Sequence, residues 1–278
     1  MQDIEKISTN LNLGEDGIWH SSKTQNLSYP TDGNDACFII EDNSFWFRHR
    51  NECITSIIKL YPPIDNGTIF DIGGGNGCVS LALKDSGFDV ALVEPGKTGA
   101  SNAKRRGLDK VICATTNTAK FKPKTLSSIG LFDVIEHIED DLTFLQSLQE
   151  IMKPGGRLYV TVPAYSFLWS FEDIMAGHYR RYTRKKICNV IENAGFEIEF
   201  SSYIFRFLPI PIAFFRAFPY RIGLKLKKNT PQAAARDHAS HHSVISRILA
   251  FVLNTEIKNL RKNKKMNFGG SCLIVAKK

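Results

Sequence analysis

Long apolar runs are missing from this 278-residue chain. In its most apolar segment, 203–222, the longest uncharged stretch covers only 207–215, far below the roughly 18 residues that span a bilayer. Residues 1–14 are polar and acidic and hold nothing resembling a signal peptide. Cysteine is sparse and never occurs as C-x-x-C. Cys37, Cys53, Cys78, Cys113, Cys188 and Cys272 are scattered, several within apolar runs. That spacing argues against a disulfide framework and for small buried hydrophobes in a reducing, cytoplasmic setting. No internal repeat is visible. Acids are scarce in one place: 203–278 holds fifteen Lys/Arg and only Asp237 and Glu256, leaving 21 basic and 26 acidic residues, net −5, elsewhere. Charge segregated this way suits an anionic partner, or forms a solvated basic surface.

What is present is enough for one α/β domain with a large core and some additions. Strand and helix patterns alternate from about 66 to 204, implying a doubly wound sheet, and a last strand is expected at 271–276. Residues 68–77 read T-I-F-D-I-G-G-G-N-G, a strand delivering Asp71 to a turn nearly free of side chains, where a ligand can lie against the backbone. A dinucleotide fingerprint needs G-x-G-x-x-G, but the third place falls on Cys78. The pattern that fits is D-x-G-x-G-x-G, through Gly73, Gly75 and Gly77. A second strand, 88–93, ends at Glu94-Pro95, placing a carboxylate 17 residues beyond Gly77, where it can accept from ribose hydroxyls or stand as a surface glutamate. Leu142, Leu145, Leu148 and Ile151 recur at helical spacing behind Asp140 and Asp141, which can cap that helix. Thr183 is placed to cap a helix holding Ile187, Val190 and Ile191, closed by Gly195.

With the strand-four string from Leu131 to Asp140 and the Met152-Lys153-Pro154-Gly155-Gly156-Arg157 turn, four motifs stand in order over about 90 residues. Together they resemble class I S-adenosylmethionine-dependent methyltransferases, in a small-molecule, type 11/12-like branch. The resemblance implies a Rossmann-like, doubly wound, seven-stranded, mostly parallel sheet with an antiparallel last strand. An N-terminal cap segment (1–60) would precede the core (61–204 plus 268–278), and a basic, aromatic-rich insertion (205–267) would interrupt it. S-adenosyl-L-methionine is then the cofactor, held by Asp71, Gly73, Gly74, Gly75, Asn76, Gly77, Glu94 and Pro95. Asp133, Val134 and Ile135 would also line its site. After strand three the family often has an Asp for adenine; here Thr116 or Asn117 takes that place.

The string around Trp46, Phe47 and Arg50 is similar to one preceding the glycine motif in that branch, so Phe47 is expected to cover the cofactor and Arg50 to reach its carboxylate. The alternative is a plain amphipathic helix. A G-H-x-R-R-Y string places His178, Arg180, Arg181 and Tyr182 after strand five. With Trp46 and Trp169, the last three are expected to bind substrate, the arginines meeting an anionic group or pairing instead with Glu172 or Asp173. His178 and His137 are the candidate general bases and Asp173 the group orienting His178. No metal is expected: His238, His241 and His242 lie without nearby cysteine in 225–242, a stretch low in apolar residues and expected as a loop. Val244, Ile245, Ile248, Leu249 and Val252 then mark a helix.

Nucleic acid is excluded as substrate. The chain lacks the Asn/Asp-Pro-Pro-Tyr string of amino-group base methylation and the Pro-Cys nucleophile of cytosine C5 chemistry. The expected reaction is O-methylation of a small or lipid-linked, anionic acceptor. The alternatives are a nucleotide-cofactor oxidoreductase and a membrane-surface binding module without turnover. The 203–222 segment reads as a lid, a dimer surface or a peripheral membrane contact.

Overall fold

The computed structural model describes residues 4–22, Phe38, Glu41, 44–224 and 244–278; the histidines at 238, 241 and 242 and the stretch 225–242, expected as a loop, lie outside the described residues, as does Cys37. Nine strands form one sheet: β1 (Leu11–Leu13), β2 (Trp19–Ser21), β3 (Ile69–Ile72), β4 (Val90–Val93), β5 (Lys110–Cys113), β6 (Leu126–Phe132), β7 (Met152–Pro163), β8 (Glu197–Ile204) and β9 (Ser271–Lys277). Their order is β1-β2-β5-β4-β3-β6-β7-β9-β8. Strands β5, β4, β3, β6 and β7 pair in parallel, while β9 runs antiparallel between β7 and β8. The seven expected strands and the antiparallel last strand are therefore all present.

Two further short strands extend the sheet beyond the expected seven. Residues 11–21, expected within a cap, form a hairpin that extends the sheet, β2 pairing in parallel with β5 at Trp19↔Ile112 and His20↔Cys113. Three-residue strands leave no periodic signal, and their pairing depends on an edge more than 90 residues away.

β3, β4 and β6 are buried along their whole length, as expected of strands covered on both faces. One face packs Leu145, Leu148, Ile187 and Ile191 against Ile129, Leu131, Leu158 and Val160. The helix Asp141–Ile151 begins at Asp140, whose side chain accepts from Thr143 N, and Thr183 caps Arg184–Asn193 in the same way. The other face is covered by the helix Phe45–Leu60, which buries Cys53, Ile54, Ile57 and Ile58 against Ile69, Leu83, Tyr159 and Phe200. Ile257 and Leu260 of the helix Val244–Arg261 join that layer.

Pro209 and Pro211 do not prevent helix in the later part of the 203–222 segment. Pro209–Ile212, a π turn at Ala213–Ala217 and Phe218–Arg221 run on as helix, because a first-turn proline gives up an N–H that has no partner there anyway. Among the described residues no helix is long and apolar enough to cross a membrane. Five described cysteines are unpaired, and burial raises the thiols of Cys53 and Cys272 above their ordinary range.

Candidate active site

The parallel register aligns Ile72 with Val93, so Asp71 and Glu94 both stand at the carboxyl edge of β3 and β4. Between them Gly73, Gly75 and Gly77 all take positive φ, at 73°, 53° and 80°, which explains why every second residue of the turn is glycine. A Cβ on Gly73 would stand 2.9 Å from Val134 Cγ2. Asp71 is almost wholly buried and accepts from Ser80 Oγ at 2.6 Å. Burial raises its pKa to about 6 against the opposing pull of Ser80 and Arg50. Glu94 accepts from Gly75 N at 2.9 Å and Gly96 N at 2.7 Å; burial pushes it above the usual carboxylate range, those two N–H groups working against it. Each Glu94 oxygen thus spends one lone pair on the backbone and keeps another for a hydroxyl donor.

On the helix Phe45–Leu60, Arg50 sits 4.7 Å over the Trp46 ring and 5.2 Å over Phe47. It donates to Asp133, while its buried Nε has no partner. A desolvated guanidinium with a spare donor beside the glycine turn suits a ligand carboxylate. Asp133 itself, at φ 59°, also accepts from Thr161 Oγ1 at 3.1 Å, so it shapes the loop after β6. Pro95 is half-buried beside Glu94, and Thr116 and Asn117 open a short helix at the carboxyl end of β5, capped by Thr115. A cofactor carrying an ammonium, a carboxylate and a ribose fits this donor and acceptor set.

Two of the residues expected at the cofactor turn their side chains inward. Asn76 is buried with its amide committed to Glu41 (3.2 Å) and Asn102 (3.0 Å), fixing the turn from behind. Ile135 is fully buried in the core.

Across the carboxyl edge, His178 Nδ1 lies 2.8 Å from Asp173 Oδ1. Arg181 Nε donates to the same oxygen at 2.7 Å and Ser170 N to the other at 2.9 Å. Burial opposes the charge of Asp173, but the hydrogen bonds from His178 and Arg181 outweigh it and hold the carboxyl at about 2. His137 stacks edge-on against His178, centroids 4.7 Å apart. Burial first, and His178 second, lower His137 to about 4, so it is neutral near pH 7.

The expected substrate contacts mostly turn inward. Arg180 pairs with Asp141 at 3.0 Å and Arg181 with Asp173, while Tyr182 is fully buried and donates to Asp141 at 2.7 Å. The charges of both arginines and the Tyr182 hydroxyl are thus met within the chain, and the pairing of Arg181 with Asp173 is the structural alternative the sequence allowed. Trp46 stacks flat on Phe205 at 5.4 Å, spending one face on the core. Trp169 is half-buried, its backbone N–H donating to Ser166 O at 3.2 Å.

Two residues escaped the sequence reading. Glu136 is fully buried, neither carboxyl oxygen has a hydrogen-bond partner, and its ligating atoms converge with those of His137 and His178 to within 4.8 Å. Burial, and then the Asp133 charge, push its carboxyl well above the usual range. The signal was an acid flanked by isoleucines and His137 in the V-I-E-H-I string. Glu256, also buried, accepts from His49 Nε2 (2.8 Å), Phe205 N (2.7 Å) and Arg206 N (3.0 Å). It was visible as a lone acid in a basic, apolar helix.

The parallel order, the glycine turn and the two strand-end acids define a class I S-adenosylmethionine-dependent methyltransferase. A family model for the methyltransferase domain matches residues 46–199, more than half of the chain, and the chain belongs to that family. S-adenosylmethionine is its cofactor. The ubiquinone biosynthesis O-methyltransferase of Caulobacter vibrioides is 31% identical over 113 residues, 35% of this chain and 41% of that protein; the human mitochondrial enzyme of the same name is 27% identical over 123 residues, 40% and 33%. The chain thus spans about two fifths of the length of the curated relatives it matches. Among solved structures, the methyltransferase partner in a Haloferax volcanii Trm112 complex superposes with TM-score 0.55 at 15% identity, covering 89% of this chain and 96% of that one. Haemonchus contortus phosphoethanolamine N-methyltransferase 2 gives 0.54 at 19%, covering 91% and 58%. At these identities the likeness is one of fold.

Proposed function

We propose that the protein methylates an oxygen of a small or lipid-linked acceptor, with His178 as the base. The observation that carries this is the Asp173–His178 contact, which packs through His178 on His137 of the loop after β6. A carboxyl held near 2 is ionised at neutral pH and only accepts, so Nδ1 of His178 must donate. That tautomer leaves the Nε2 lone pair free to take a hydroxyl proton. Arg181 shares the same oxygen and locks Asp173, fixing the imidazole plane.

Asp71, the glycine turn, Glu94 and Arg50 would hold S-adenosylmethionine, with Thr116 and Asn117 at the adenine end. The cofactor, when bound, supplies a methyl group activated by a sulfonium. The chain's own work is to align the acceptor and keep water out. Glu136, whose burial disfavours its charged form, lies behind His137 with both carboxyl oxygens unpartnered.

The oxygen acceptor agrees with the names of the curated relatives. An anionic group on it no longer rests on Arg180 and Arg181, whose charges are paired within the chain. The oxidoreductase and non-catalytic readings find no support among the relatives.

The test is methyl transfer from radiolabelled cofactor into lipid and aqueous extracts of the host cell. His178→Ala should leave cofactor affinity intact and lower turnover at least tenfold, and Asp173→Asn in the H178A background should cost little more. Unchanged turnover in H178A, or fully additive losses, removes the base assignment.

A further inference from the structure

The segment 205–224 carries Arg206, Arg216 and Arg221 and no acid. On it Phe214, Phe215 and Phe218 are 68%, 73% and 58% exposed, with Ile210, Ile222 and Leu224 also projecting into water. Aromatic side chains stranded together this way are unusual on a surface that has no partner. The ridge is fixed to a neighbour: Arg216 lies 3.6 Å from Glu172, and Arg221 Nη2 donates to Phe167 O at 3.1 Å. Glu172 belongs to the short helix Phe171–Ala176, which exposes Phe171, Ile174 and Met175 in its turn. It ends at Gly177, immediately before His178.

A third apolar element closes the patch. Tyr165 links Phe167 (5.1 Å) to Phe268 (5.6 Å). Phe268 lines a cavity of about 350 Å³ with Arg206, Phe207, Phe251 and Val252. Exposed rings and guanidinium groups therefore run from this cavity, across the 209–221 helix, to the loop of the proposed base.

We infer that this ridge docks on the surface of an anionic phospholipid bilayer, aromatic rings entering the acyl boundary and arginines meeting phosphates. Charge complementarity selects the occupant: a segment with three arginines and no acid of its own, only Arg216 lying beside the acid Glu172 of the neighbouring helix, matches an anionic lipid face. The segment lies in the interface without crossing it, because it is far too short to span. Docked so, the loop with His178 opens at the lipid boundary, where a lipid-linked acceptor would sit. The purpose rests on the proposed acceptor class; the docking geometry does not.

The experiment is co-sedimentation of the full chain with phosphatidylcholine vesicles, with and without 30% phosphatidylglycerol, at low and high salt. Cofactor-product affinity is measured in parallel by calorimetry as a check on folding. The wild type should pellet with the phosphatidylglycerol vesicles and much less with phosphatidylcholine alone or at high salt. The exposed triple variant F214S/F215S/F218S should lose at least tenfold in partitioning with cofactor-product affinity unchanged, and R206Q/R216Q/R221Q should lose several-fold. A wild type that stays in the supernatant, or an aromatic variant that binds as well as wild type, overturns the inference. So does a variant whose only change is from dimer to monomer, which would make a second copy the occupant. Vesicle binding without labelling of any lipid would instead sink the acceptor reading and leave the docking surface standing.

Discussion

Replacing Asp71 by asparagine should make the cofactor-free protein more stable at pH 8 while weakening cofactor binding. The carboxyl is raised from 3.8 to about 6 by burial, and it is only 1% exposed, so solvent screening does little to reduce the effect. A folded-state value above the unfolded one means that this group's stabilising contribution is complete below about pH 4 and lost as pH rises through about 6. At about 1.4 kcal/mol per unit, the ionised group at pH 8 costs up to roughly 3 kcal/mol. Asparagine keeps an oxygen for Ser80 Oγ, but its amide brings donors that cost about 1–2 kcal/mol if unmet. A net gain of about 1–2 kcal/mol remains, corresponding to a rise of roughly 2–6 °C in a domain of this size. The assay is scanning calorimetry of cofactor-free wild type and D71N at intervals from pH 4 to pH 8, with cofactor-product titration at pH 8. The gain should appear above pH 6 and vanish near pH 4, and affinity should fall at least tenfold. A D71N protein less stable than wild type at pH 8 by the same margin as at pH 4 would refute the burial argument.

Gly73→Ala places a side chain at φ 73°, with its Cβ 2.9 Å from Val134. It should lower stability by about 1–3 kcal/mol and weaken the cofactor, with G73A/V134A recovering part of the loss in urea unfolding. Glu256→Ala strands two backbone N–H groups and buried His49, so it should cost about 3–5 kcal/mol. Glu256→Gln should cost clearly less; a loss under about 1 kcal/mol for the alanine variant would mean the helix Val244–Arg261 is held by apolar packing alone.

The two kinds of motif fared differently for a physical reason. The glycine turn, the Asp140 and Thr183 caps and the apolar stripe of Asp141–Ile151 are settled within a few residues by backbone sterics and periodicity, and the structure shows each where the sequence placed it. Arg180 and Arg181 are chemically apt for an anion, yet what they meet depends on acids supplied from elsewhere. Asp141 reaches Arg180 across 39 residues, and the short helix turns Asp173 back onto Arg181. No local pattern distinguishes a guanidinium waiting for a ligand from one already paired.

The chain's order of residues thus determined the sheet, the cofactor turn and the class of chemistry, because these follow from hydrophobic period and from where glycine alone is tolerated. Only the tertiary structure decided which polar groups remain available. Glu256 found His49 across 207 positions, Tyr182 was drawn into the core, and Glu136 was buried with its carboxyl unspent. Burial and pairing are properties of the folded surroundings, set by contacts between elements far apart along the chain.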